Sequence, residues 1–193
     1  MSTLDTAAAA TRVRYSHGAI ALHWLIALAI IANWLIAQIA EDAPEAREQA
    51  LMGLHVALGM TILILSVVRI GWRITHKPPP PNPDHPKWER VLASAVHKIF
   101  YFLIIALPLT GYLLVQYGTG GWPISMFGIF DFPGLPLPKS HDAHEAFEGI
   151  HGALANIMLV LFFLHIAGAW KHQLLDRDGT IFRMLPFGRP GRR

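Results

Sequence analysis

The sequence predicts an all-α membrane protein, a bundle of four transmembrane helices with both termini in the cytoplasm. Three observations carry that prediction. Hydrophobic residues make up 53% of the 193 residues and charged residues only 15%, against about 25% charged in soluble domains. Four stretches reach or approach the roughly 20 apolar residues that a helix needs to cross a bilayer. Basic residues collect in alternate connections, which is a topology signal. The length suits a single domain, residues 1–193. Cysteine is absent, which excludes disulfides, zinc–thiolate sites and cysteine-ligated iron–sulfur clusters. The net charge of +3 is not a nucleic-acid footprint, because the basic residues flank apolar segments. The lipid bilayer is an expected partner, and nucleic acid is not.

Span 1 covers residues 18–40 and carries no charge. It is too long for the apolar core of a cleavable signal, and only a weak cleavage site follows it. Span 2 covers 51–72. It is uncharged from Leu51 to Val68 and continues past Arg69, whose long side chain can snorkel toward the interface. "HKPPPPNPDHPKW" (76–88) cannot be helical and reads as a stiff, extended connector. Span 3 covers 95–117 and holds Pro108, which is expected to kink it. The long connection 118–148 is apolar and turn-rich in its first part, so it is expected to lie across the mouth of the bundle. Its "SHDAHEAFEGIHG" reads as the start of a helix with Ser140 as N-cap. Span 4 covers 149–172, and residues 181–187 are expected at the interface beyond it.

Charge orients these spans. Arg12, Arg14, Arg69, Arg73, Lys77, Lys87, Arg90, Lys98, Lys171, Arg177, Arg183, Arg189, Arg192 and Arg193 fall on one side, fourteen of the sixteen basic residues. The other side has Arg47 and Lys139 among eight acidic residues. The positive-inside rule puts the first side, with both termini and the 76–88 connector, in the cytoplasm.

Histidine inside a span is uncommon and is a functional hypothesis by default. Span 4 holds His151 and His165. Fourteen residues of α-helix turn about 1400° and rise about 21 Å. Both rings therefore face one side, near opposite membrane surfaces. One metal ion would need ligands three or four residues apart, so two stacked sites are expected instead. His151 is then outer and His165 inner. His23, early in span 1, is inner, and His55, early in span 2, is outer. Depth pairs His23 with His165 and His55 with His151. Two imidazoles facing across a bundle are the usual ligands of a b-type haem. Small residues stand one turn from each: Ala19 and Ala27, Gly59, Ala155, and Ala169. They suit a porphyrin plate but also ordinary helix packing.

Other polar residues near these depths have open roles. His97 and His172 are candidates for a supporting role or a quinone site, and His97 is also an alternative inner ligand. Arg69, Arg73 and Lys98 can neutralise haem propionates or anchor the interface. His17, His76, His85, His141 and His144 read as loop-borne, with no ligand expected among them.

Five stretches carry a family resemblance: "YSHGAIALHWL", "GLHVALGMTILILSVVRIGWRI", "HKIFYFLIIALPLTGYLL", "GIHGALAN" and "FFLHIAGAWKHQLLDRDGTIFRMLP". With them the chain resembles the bacterial cytochrome b561 family, diheme four-helix membrane proteins related to the cytochrome b subunits of hydrogenases. The resemblance covers nearly the whole chain after the first dozen residues. It implies axial ligands at His23, His55, His151 and His165, two haem b, and electron exchange with the quinone pool of the bacterial inner membrane. Ubiquinone is the expected acceptor or donor. Some family members resemble a superoxide:quinone oxidoreductase.

The expected function is therefore electron transfer between a donor at the membrane surface and quinone. A homodimer or a larger redox complex is the expected assembly. Two alternatives belong beside it. An anchor subunit relaying electrons for a dehydrogenase or hydrogenase would co-purify with a large partner. A histidine-lined metal or proton transporter would be colourless.

Overall fold

The computed structural model describes residues 14–82 and 85–188. Arg12, Arg189, Arg192 and Arg193, which the charge argument uses, lie outside the described residues. So do Pro83 and Asp84 of the connector. Four long helices run in order: α1 His17–Glu41, α2 Glu45–Thr75, α3 Lys87–Thr119 and α4 His141–Lys171. All four are long and apolar enough to cross a membrane. The chain is a multi-pass membrane protein with a four-helix bundle, as its apolar pattern predicts.

The helices overrun the apolar windows, because capping sets a helix end while hydropathy marks only the part that meets lipid. Ser16 Oγ accepts the Ala19 N–H at 3.4 Å. It also accepts the Trp72 indole N–H at 2.9 Å, which ties the start of α1 to the end of α2. Gly18 permits that approach, since a Cβ there would stand 2.4 Å from the Trp72 ring. Pro44 and Pro86 precede α2 and α3 with φ of −58° and −53°, and their preset φ favours helix entry. Glu45, Glu48 and Glu89 in first turns, with Arg73 in the last turn of α2, oppose the helix dipoles. α3 runs unbroken through Pro108 to Gly120. Gly120 takes a left-handed φ of 78° and donates its N–H to the Gln116 carbonyl at 2.9 Å, a glycine stop. Ser140 caps α4 as predicted, accepting the Ala143 N–H at 3.3 Å.

α1 packs on α2, α2 on α3, and α3 on α4. Among the described residues, α4 brings no Cα within 8 Å of one in α1 or α2. Helices in direct contact lie about 8–10 Å apart, axis to axis, so α4 stands off from the α1–α2 pair. Between them at mid-height lies an apolar layer of Ile26, Ile62, Leu103, Ile104 and Met158, drawn from all four helices. Large apolar side chains such as Leu28 (58% exposed), Val67 (59%), Phe102 (61%) and Phe163 (61%) point outward. Hydrocarbon rather than water suits that surface.

The long connection does cover one mouth of the bundle, and it contains a hairpin that its composition did not announce. β1 (Ile124–Met126) pairs antiparallel with β2 (Phe130–Phe132), Ile124 opposite Phe132. Ile124 and Met126 are buried with Ala57, Met60 and Tyr112. The Tyr112 hydroxyl donates to the Pro133 carbonyl at 2.9 Å. Gln116, fully buried, donates to the Trp122 carbonyl at 3.1 Å and accepts the Leu135 N–H at 2.7 Å. These bonds satisfy an amide that would otherwise be costly to bury.

At the other end, the terminal face, where the described residues begin and end, α4 passes into a π-helical turn over His172–Asp176 and then a 3₁₀ turn over Thr180–Arg183. This tail folds back onto α1. The Tyr15 N–H donates to the Arg183 carbonyl at 3.2 Å, and the Trp24 indole donates to the Met184 carbonyl at 2.9 Å.

Candidate functional site

Each of the four intramembrane histidines predicted from depth sits on a long helix, and the fold brings them together as two pairs. The His23 and His165 ring centroids lie 6.3 Å apart, toward the terminal face. The His55 and His151 centroids lie 6.2 Å apart, toward the hairpin. An imidazole nitrogen stands about 1 Å from its ring centroid, and a metal–imidazole bond is about 2 Å. Two imidazoles on opposite sides of one metal ion thus hold their centroids roughly 6 Å apart. Both pairs have that spacing, and both bridge the helices that stand apart. The ring planes are turned 73° and 81° to one another. Axial ligands can adopt such angles, since rotation about the shared axis keeps both nitrogens on it.

The pair near the hairpin is held by backbone carbonyls. His55 Nδ1 lies 3.1 Å from the Asn33 carbonyl, and His151 Nδ1 lies 3.0 Å from the Leu107 carbonyl. A ring donating from Nδ1 keeps its Nε2 lone pair for a ligand. Gly111 makes the second bond reachable. A Cβ at 111 would stand 2.9 Å from His151 Cε1, between the ring and a carbonyl one turn away. Gly111→Ala is therefore expected to push His151 off Leu107. Losing such a supporting bond typically costs about tenfold to a hundredfold in metal affinity. Cofactor retained through purification of the variant, read from its visible spectrum, checks this.

The pair near the terminal face is built differently. Arg69 donates to the Ala19 carbonyl at 3.3 Å, and its guanidinium lies 3.5 Å from His23 Nδ1. It also stands 5.7 Å over the Tyr101 ring, a cation–π distance. His97 is exposed, yet its ring centroid is 5.6 Å from that of His165, and its Nδ1 lies 2.5 Å from the Ala93 carbonyl of its own helix. Phe100 packs on the same His165 ring at 5.5 Å. Arg73 is exposed at the end of α2. Lys98 is exposed on the α3 flank that bears Lys87 and Arg90.

His172 lies away from both pairs. Its Nδ1 meets Asp176 at 2.9 Å and Asp178 at 3.0 Å, and its ring stacks on His85. Burial pushes the Asp178 carboxyl up, but hydrogen bonds from Thr180 and His85 and the charge of His172 outweigh it, bringing it down to about 2. Sequence reasoning did not find the Asn33 and Leu107 carbonyls, Gly111, or the approach of His85 to His172. Backbone acceptors leave no mark in a sequence. Gly111 had a signal, a glycine one turn from Leu107 on a helix facing His151, but only the fold gives it meaning.

Comparison with known proteins agrees with this architecture. The profile of the family described as Prokaryotic cytochrome b561 matches residues 14–187. The chain is 32% identical over 185 residues to "Cytochrome b561 homolog 2" of Escherichia coli strain K12, covering 91% of this chain and 93% of that one. It is 28% identical over 177 residues to "Probable superoxide oxidase CybB" of Yersinia pestis, covering 90% and 96%. It is 26% identical over 178 residues to "Cytochrome b562" of Cereibacter sphaeroides, covering 89% and 94%.

Proposed function

Because the chain belongs to the prokaryotic cytochrome b561 family, whose role is membrane electron transfer with b-type haem, we propose a specific form of that role. The protein carries electrons through two b haems, one held by His23 and His165, the other by His55 and His151. The supporting observation is the pair of ring spacings, 6.3 and 6.2 Å, across helices whose backbones stand apart. Haem b held by these imidazoles would supply reversible one-electron transfer.

The chain's own residues do the rest. The four histidines would fix each plate from both faces, and the apolar layer around Met158 excludes water between the two levels. Arg69, lying beside His23 and over the Tyr101 ring, would offset propionate charge. The terminal face is assigned to the cytoplasm, on the charge bias of the connections, within the bacterial inner membrane. The partner is a membrane quinone, ubiquinone, and the donor is superoxide, a chemistry named for the Yersinia relative. Two superoxide anions would each lose one electron to become dioxygen. Those two electrons and two protons convert one quinone to quinol.

The test uses the purified haem-replete chain alone. Superoxide made enzymatically should reduce its haem, and a soluble ubiquinone analogue should reoxidise it within a single mixing experiment. Reduction should slow as salt rises, since a basic rim steers an anion. Haem that neither superoxide reduces nor quinone reoxidises would refute this assignment.

A further inference from the structure

Histidine chemistry in this fold does not end at the two membrane pairs. On the terminal face, three segments distant in the sequence converge. His85 comes from the proline-rich connector, His172 from the π-helical turn after α4, and Asp178 from the bend beyond it. His85 Nε2 lies 2.6 Å from Asp178 Oδ2, and His172 Nδ1 lies 3.0 Å from the same oxygen. The two rings stack with centroids 4.4 Å apart and planes 13° apart. The other Asp178 oxygen accepts the Thr180 N–H at 2.8 Å, which fixes the carboxylate with Oδ2 toward both rings. The three side chains are only 14–18% exposed.

Lys171 sits 2.7 Å from both Glu89 and Asp176, so a cation holds that acidic pair together, and Asp176 also lies 2.9 Å from His172 Nδ1. Asp178 faces two imidazoles, the donor combination of a transition-metal site. The backbone is bent to bring them there. The α-helix widens to a π-turn at His172, and Arg177 takes a φ of 51°, rare for a long side chain. π-turns and such outliers gather at ligand sites.

We propose that His85, His172 and Asp178 bind one borderline divalent cation of the zinc class. Imidazole and carboxylate donors without thiolate suit zinc, nickel or copper rather than calcium or magnesium. One donor atom from each of His85, His172 and Asp178 lies within 4.8 Å of the other two. A tetrahedral zinc with bonds near 2.0 Å spaces its ligand atoms about 3.3 Å apart, so each close contact opens by less than about 1 Å. Each ring then turns a lone pair inward and carries its proton on the other nitrogen. Water completes the shell. The cation clips the connector to the end of α4, seven residues past His165. The site shares no residue with the membrane pairs, so it stands or falls apart from the haem assignment.

The probe is zinc alone. Haem-replete protein in detergent is cleared with a chelator and dialysed to equilibrium against zinc, and bound metal is measured by elemental analysis. One zinc per chain is expected. His85→Gln, His172→Gln and Asp178→Asn should each weaken binding by about thirtyfold or more, with the haem spectrum unchanged. His141→Gln, on the opposite face, should change nothing. X-ray absorption at the zinc edge should show imidazole scattering. No zinc retained by the unmodified protein overturns the proposal. So does zinc retained equally by His85→Gln, a connector variant outside the helices.

Discussion

His151→Ala is expected to halve the haem content of the protein, from two per chain to one, and to remove only the haem nearer the hairpin. The size of the effect follows from the absence of a substitute. Among the described residues, His55 has no second imidazole beside it within ring-contact distance. His144 is seven residues from His151, about 10 Å along the helix, and its Nδ1 is directed at the Leu114 carbonyl at 3.1 Å. A haem left with one axial bond is expected to dissociate during purification. His55→Ala should give the same result from the other face of the plate. The measurement is haem per polypeptide by alkaline pyridine extraction, with the difference spectrum of what remains. A variant at either position that keeps both haems would place the ligand elsewhere.

The terminal-face pair behaves differently, because a third ring is present. His23→Ala is expected to cost the inner haem at least tenfold in retention, yet less completely than His151→Ala costs the other. His97 stands 5.6 Å from His165 and can swing toward the space that the His23 side chain leaves. His97→Ala alone should leave both haems and their spectrum in place, since its ring is exposed and directed at its own helix. The double variant His23→Ala/His97→Ala should lose the inner haem fully. If His97→Ala by itself removes a haem, then His97, and not His23, is the axial ligand to that iron. This comparison decides between two rings that geometry brings near the same partner.

Much of this was legible in the sequence, and the reasons differ by element. Hydropathy shows helix number because every backbone group in lipid must be paired within its own segment. The histidine pairs were legible because rise and rotation per residue convert a spacing of fourteen into depth and face. Ser140 was legible as a cap because its chemistry is local. The hairpin at 124–132 was not. Its turn uses Phe127 and Gly128 at φ 59° and 72° instead of the Asn-Gly or Asp-Gly that signals such turns. The helices run past the expected spans: α3 starts at Lys87, ahead of the span from 95, and α4 starts at His141 behind its predicted Ser140 cap, ahead of the span from 149, because proline, serine and acidic first turns extend a helix beyond the lipid. The π-turn at His172 has no sequence mark, so the meeting of His85, His172 and Asp178 emerges only from the fold.

The two levels also differ in surroundings. Neutral carbonyls hold the rings near the hairpin, whereas a guanidinium stands beside the rings near the terminal face. Hydrogen bonds to axial ligands and nearby charge both shift haem potential, so two haems held as proposed would have separate potentials.

The most direct test of the central claim is the reduced-minus-oxidised visible spectrum of the unmodified protein, purified in mild detergent from cells supplied with ample haem, together with haem per polypeptide. Sharp b-type bands and two haems per chain are predicted. A colourless protein, or one haem per chain that persists in His151→Ala, would contradict it.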